Sequence, residues 1–162
     1  MEQLITEPLA EDDPVVEAVL TASRALVAVA ARSIAAAGGE VTLPQYRALV
    51  LIAARGPQRL MDLADALDVN QSTASRMCDR LVAKRLVRRS RLPSDRRTVR
   101  IALTTEGRAL VDGVTRHRRG DLARILAELT SQQQEAVVAA LSAFALAADE
   151  KAVPHDGAVA EL

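Results

Sequence analysis

Only two aromatic side chains, Tyr46 and Phe144, occur in a chain of 162 residues that is 49% hydrophobic. A core of ordinary size must therefore be filled with Ala, Leu and Val. Ala and Leu are strong helix formers, so such a core favours a mostly helical fold. The length suits one domain or one compact subunit.

Apolar spacing agrees with this. Residues 1–13 read as a flexible acidic arm with Glu2, Glu7, Glu11, Asp12 and Asp13 and no basic residue. From Pro14, apolar residues recur at helical spacing (Val15, Val16, Val19, Leu20, Leu26, Val27, Ala30, Ile34) until Gly38-Gly39. Thr42 and Gln45 form a capping-box pattern for a second helix over 44–54, which Gly56-Pro57 breaks. A short third helix carries Leu60, Leu63, Ala64 and Leu67 on one face. Asp68-Val69-Asn70 is a tight turn, and Asn70 is a good N-cap for a fourth helix over 71–84.

The period then changes. Val87, Val99, Ile101 and Leu103 alternate with polar residues, with Leu92-Pro93-Ser94-Asp95 as a turn between them, which predicts a β-hairpin with a basic tip. Thr104 or Thr105 can cap a fifth helix to about Leu129. Ser131 with Gln134 predicts the cap of a sixth, with Val137, Val138, Leu141, Phe144, Ala145 and Ala148 as its stripe. The chain thus divides into the arm (1–13), a first helix (14–37), a helix-turn-helix with hairpin (38–103), two C-terminal helices (104–149), and a tail (150–162) without periodicity that is expected to be disordered.

The formal net charge is zero, yet the basic residues are not spread evenly. Between Arg76 and Arg100 ten basic residues face only Asp79 and Asp95, a local charge of +8. On a helical wheel the fourth helix places Ala74, Met77, Cys78, Leu81 and Val82 in a core stripe. The other side carries Gln71, Ser72, Thr73, Ser75, Arg76, Arg80 and Lys84. Small hydroxyl and amide side chains at the N-terminal end, followed by basic ones, suit a helix in a DNA major groove. A solvated surface helix would look similar, so this helix does not decide alone. The hairpin behind it does more, because arginines at such a tip can enter a minor groove. Asp95 beside them can hold a neighbouring guanidinium in a bidentate fork, or form an ordinary surface ion pair.

These residues resemble those of the MarR family of bacterial regulators. The resemblance rests on Asp62-Leu63-Ala64, Ser72-Thr73-Ala74-Ser75-Arg76 and Asp79-Arg80-Leu81. It continues in Asp95-Arg96-Arg97, then Ile101-Ala102-Leu103-Thr104-Thr105-Glu106-Gly107. By motif it spans 43–110, and by helix layout 14–149. It implies a fold that is mainly α with a small β-hairpin wing: a winged helix-turn-helix at 38–103 plus a helical dimerisation region at 14–37 and 104–149. It implies a homodimer on a pseudo-palindromic operator in double-stranded DNA, and a small aromatic effector between the dimer helices and the winged unit. The implied DNA-binding set is Gln71, Ser72, Thr73, Ser75, Arg76, Arg80, Lys84, Asp95, Arg96 and Arg97, with Asp95 and Arg97 as the wing pair and Arg97 in the minor groove. Two positions depart from the family, where Gly is common: Asp68 in the turn and Arg85 before the wing. Asp tolerates left-handed geometry. Arg does so at a steric cost, which predicts a different end to the fourth helix and a different wing angle.

Other functions have little support. A winged helix can serve as a protein-interaction module without DNA, but such a module has little need of a +8 segment. No nucleophile–base pair or glycine-rich phosphate loop is visible, so an enzyme is not expected. The single cysteine, Cys78, excludes a disulfide framework and a cysteine-rich zinc site, and its stripe position reads as core rather than redox sensor. His117 and His155 lack ligand-type neighbours, so no metal or cofactor is expected. The basic segment contains no aromatic residue, which disfavours single-strand stacking. Arg116-His117-Arg118-Arg119 reads as a surface cluster for phosphate or for acidic groups of a partner subunit. Tyr46 can line a pocket or pack beneath the second helix. No secretory signal and no apolar run near the ~20 residues of a membrane span are seen, so a cytoplasmic protein is expected.

Overall fold

In the computed structural model the described residues are 10–38, 40–92 and 95–150, with backbone alone at 91, 92 and 95–98. Among them the order is α1 (Pro14–Ala36), α2 (Leu43–Arg55), β1 (Gln58–Arg59), α3 (Leu60–Ala66), α4 (Gln71–Ala83), β2 (Val87–Leu92), β3 (Asp95–Leu103), α5 (Thr105–Leu126) and α6 (Ser131–Ala147). The fold is mainly helical with a small antiparallel wing.

Local chemistry sets most of the helix ends. Asp13 caps α1 by accepting the Val15 N–H at 2.7 Å, with Pro14 behind it in the first turn. Thr42 and Gln45 make the reciprocal capping box expected for α2. At α6 the box is Thr130 with Gln133, one residue earlier than the Ser131–Gln134 pattern. Three consecutive glutamines make both registers readable in sequence. The displaced Gln134 amide instead donates to the carbonyls of Leu126 and Leu129, which closes the end of α5.

β1 was not legible in sequence. It has two residues, too few to show a period, and joins the hairpin as the outer strand of the order β1-β3-β2, with Gln58 opposite Ile101. Leu49, Ile52, Leu63, Leu81, Val87, Val111 and Val114 form the centre of the core, packed from α2, α3, α4, β2 and α5. It is aliphatic, as the composition requires. Tyr46 is its one aromatic residue, and Phe144 is 55% exposed. Val82 corrects the expected α4 stripe: it is exposed, while Ala74, Cys78 and Leu81 are buried.

A tight junction joins the end of α4, the end of β3 and the start of α5. Thr104 follows β3, donates its N–H to the Leu86 carbonyl at 3.1 Å and its hydroxyl to the Arg85 carbonyl at 2.6 Å. The same hydroxyl accepts the Gly107 N–H at 3.0 Å and so caps α5. Gly107 lies so near that a Cβ there would sit 2.0 Å from the Leu86 carbonyl oxygen. Only glycine lets α5 start at this point.

α1 is long and apolar enough to cross a membrane by length and composition, although it contains no unbroken apolar run of that length. Arg24 and Arg32 interrupt it, and its inner side buries Val29, Ala30, Ser33 and Ile34.

Gly107→Ala should destabilise the chain by about 3 kcal/mol, the upper end of overpacking costs, because its neighbour is backbone and cannot rotate away. Urea unfolding measures this; a change below the scatter of repeat melts would show that the junction can relax.

Candidate nucleic-acid interface

The turn between α3 and α4 fixes how α4 is presented. Asp68 takes a left-handed conformation with φ 52°, and the Val69 and Asp68 N–H groups close back on Ala64 and Asp65. Asn70 then caps α4. Its Oδ1 accepts the Thr73 N–H at 2.8 Å and the Ser72 hydroxyl at 2.7 Å. The Ser72 proton is thereby committed, and its oxygen faces solvent as an acceptor.

With Ala74, Cys78 and Leu81 buried, Gln71, Ser72, Arg76 and Arg80 stand exposed, and Thr73 and Ser75 are half-buried at the flanks. Arg76 Nε donates to the Ser72 carbonyl at 3.3 Å, which lays its guanidinium along the helix. Lys84 does not join this cluster. Its ammonium donates to the Glu40 carbonyl in the α1–α2 connection, and Lys84 itself is the C-cap residue at the far end of α4.

One acid sits on the exposed side of α4. Asp79 is neutralised by Arg89 of β2, 2.6 Å away. Both are well exposed, so the pair adds at most about 1 kcal/mol. Its geometric meaning is larger: the first wing strand and the polar side of α4 lie on one side of the molecule. Arg88 is exposed beside Arg89, and Arg100 of β3 donates to the Pro57 carbonyl at 3.3 Å.

The different end of α4 expected at Arg85 does not occur. Arg85 takes φ 58°, its N–H bonds the Val82 carbonyl at 2.9 Å, and the Leu86 N–H bonds the Leu81 carbonyl at 3.0 Å. These are the two hydrogen bonds of a Schellman cap. The surrounding contacts, including Thr104 on the Arg85 carbonyl, over-determine the backbone and hold the strain in place.

At the wing end, β2 and β3 pair from Val87 with Leu103 to Arg91 with Val99, then shift register before Leu92 meets Asp95. The backbone of Asp95, Arg96 and Arg97 belongs to β3. Their side chains, and Pro93 and Ser94, lie outside the described residues.

Residues 41–99 match the family model for the MarR family. Over 113 residues the chain is 33% identical to the HTH-type transcriptional repressor MdtR of Bacillus subtilis, covering 68% of this chain and 73% of that protein. The crystal structure of RV1404 from Mycobacterium tuberculosis superposes with a TM-score of 0.82 at 41% identity, covering 91% of this chain and all of that one. The chain belongs to the MarR family. A second similar structure is that of Bordetella bronchiseptica BpsR, whose DNA binding is regulated by 6-hydroxynicotinic acid. It has a TM-score of 0.61 at 26% identity and covers 85% of this chain and 97% of its own. As a MarR-family member the chain is a DNA-binding transcription regulator, which sets aside the interaction-module alternative.

Other candidates have simpler places. Cys78 is buried, and burial together with Asp79 pushes its thiol up, so it packs as a small core residue. His117 is exposed. Tyr46 is in the core and also lines a cavity of about 410 Å³ between α1, α2 and α5; burial raises its pKa against a hydrogen bond with Thr115. Arg118 lines the same cavity rather than an outer basic patch, and its Nε is buried without a partner. Sequence held a signal for this: Arg118 lies seven residues after Val111, on the inward side of α5. Arg47, also lining the cavity, gave none.

A MarR-type left-handed cap built on arginine should be improvable. Arg85→Gly is expected to stabilise the fold by about 0.5–1 kcal/mol, the steric relief less the entropy of the freer unfolded chain. Thermal unfolding checks it; a lower midpoint would mean that the Arg85 side chain contributes more than its backbone costs.

Proposed function

We propose that this MarR-family chain is a ligand-responsive transcription repressor that acts in the cytoplasm as a homodimer on a pseudo-palindromic operator. The observation that carries the DNA reading is the Asp79–Arg89 contact, which sets the polar side of α4 and the wing facing the same way. Gln71, Ser72, Thr73, Ser75, Arg76 and Arg80 are assigned to the major groove. Arg96 and Arg97 are assigned to the minor groove, with Asp95 orienting Arg97. Lys84 is left out of this set because its ammonium is engaged at Glu40.

The dimer reading rests on uncovered apolar surface. α6 has no buried residue, and a groove of about 710 Å³ runs between α1, α5 and α6 with Val19, Leu122, Ile125, Val137 and Leu141 in its walls. Phe144 and Leu146 of α6 are exposed as well. Monomers rarely leave such continuous apolar surface in water. A second copy, bringing the same helices, covers it. The effector reading rests on the α1–α2–α5 cavity, with Leu26, Val27, Ala30 and Val50 as its apolar wall and Arg47 and Arg118 as its polar end. The regulation of BpsR by 6-hydroxynicotinic acid supports a small aromatic ligand there.

Affinity for operator duplex should fall steeply with salt, since several basic residues displace counterions, and Arg97→Ala should weaken it by about 1–3 kcal/mol while Lys84→Ala leaves it within about twofold. Anisotropy titrations at several salt concentrations measure all three; a flat salt response would reject the interface. Leu141→Glu places a charge in the apolar groove and should convert the dimer to monomer in sedimentation equilibrium, with loss of the two-half-site footprint. A mutant that stays dimeric would remove this surface from the interface.

A further inference from the structure

The cavity between α1, α2 and α5 already has a carboxylate at its edge. Arg47 lines the cavity and holds Glu150 in a two-pronged ion pair, with Nη1 2.9 Å from Oε1 and Nη2 on Oε2. Glu150 lies 103 residues further along the chain, just past α6. It is held there by the end of that helix. Asp149 turns left-handed with φ 50°, and the Glu150 N–H returns to the Ala145 carbonyl at 3.0 Å. A non-glycine residue in that conformation is uncommon and costs energy. The turn brings the carboxylate back towards α2. Arg118 lines the same cavity, and its Nε is buried with no partner.

We propose that Glu150 is a built-in competitor for an anion site at Arg47, so that a small organic carboxylate entering the cavity displaces it and releases the C-terminal end of α6 from α2. This rests on the effector pocket proposed above and adds the built-in competitor and the mechanical consequence of its displacement. The ligand's ring fills the aliphatic wall, and its carboxylate takes the Arg47 fork with Arg118 at hand. A bidentate arginine–carboxylate pair is the geometry that a second carboxylate can reproduce. The competition is light, because both partners of the ion pair are about 40% exposed and such pairs contribute little. An effector therefore has to outbid Glu150 by only a few-fold. Release matters because the freed end belongs to α6, whose uncovered apolar residues Leu141 and Phe144 form part of the proposed dimer surface.

Calorimetric titration of the full-length protein with benzoate, and with benzamide as its uncharged counterpart, tests this. Benzoate should bind and benzamide should bind far more weakly. Glu150→Gln should tighten benzoate about two- to fivefold, the range an exposed ion pair commands. Arg47→Gln should weaken benzoate and erase the effect of Glu150→Gln in the double variant. In amide exchange, saturating benzoate should speed exchange in the last turn of α6, and Glu150→Gln should show that faster exchange without ligand. Equal benzoate affinity in wild type and Glu150→Gln overturns the competition and leaves the pocket standing. Binding of benzamide as tight as that of benzoate overturns the anion site. Failure of both probes to bind either protein overturns the pocket and the proposal together.

Discussion

The Leu86 carbonyl is the point on which the winged unit turns. It accepts the Thr104 N–H and lies against Gly107, where no side chain would fit. One residue earlier the Arg85 carbonyl takes the Thr104 hydroxyl. The end of α4, the start of β2, the end of β3 and the start of α5 therefore meet in a few hydrogen bonds of fixed length. None of these groups is charged, so the junction is insensitive to salt, unlike the surface that it positions. This explains how a strained arginine can stand at a position where glycine is usual in the family. The backbone path is set by its neighbours, and the side chain accepts the strain.

Electrostatics at the interface depends on placement rather than total charge. A chain of zero net charge can present a strongly positive surface only if its acids are elsewhere or are answered locally. Both occur here. The N-terminal arm holds five of the acids, and Asp79, the acid on the exposed side of α4, is matched by Arg89. The pair removes one negative charge from the surface and spends one positive charge of the wing strand. What remains at α4 is Arg76 and Arg80 beside small polar side chains, a combination suited to base edges as well as phosphates.

Sequence made legible whatever depends on neighbours within about four residues. Asn70 as a cap, the Thr42–Gln45 box, the apolar spacing of α1 and the period of the hairpin are local chemistry, and each stands in the structure where spacing put it. What could not be read in sequence has a different cause. β1 exists only because β3 offers Ile101 and Arg100 as partners. The Lys84 ammonium meets a carbonyl 44 residues away. Glu150 reaches Arg47 across 103 residues. In each case the deciding partner is distant in the chain, and no period or cap announces it. The Thr130–Gln133 box is a milder case: local rules permitted two registers, and the end of α5, through Gln134, selected one. Of the candidate site, the α4 face could be read in sequence, whereas the polar end of the cavity could not.

α5 connects these parts mechanically. Its first turn is locked to Leu86 through Gly107, its middle presents Arg118 to the cavity, and its last turns carry Leu122 and Ile125 into the apolar groove. A helix of 22 residues is stiff over its roughly 33 Å length. A small rotation at the groove would therefore be delivered to the wing junction rather than absorbed on the way. In the proposed dimer such a helix transmits a signal only if α1, α5 and α6 have two packings that differ in wing spacing, and only if the proposed ligand prefers one of them. α6, which has no buried residue of its own, would then be the element free to repack. The hydrogen-bonded Leu86 junction would carry the winged unit with α5.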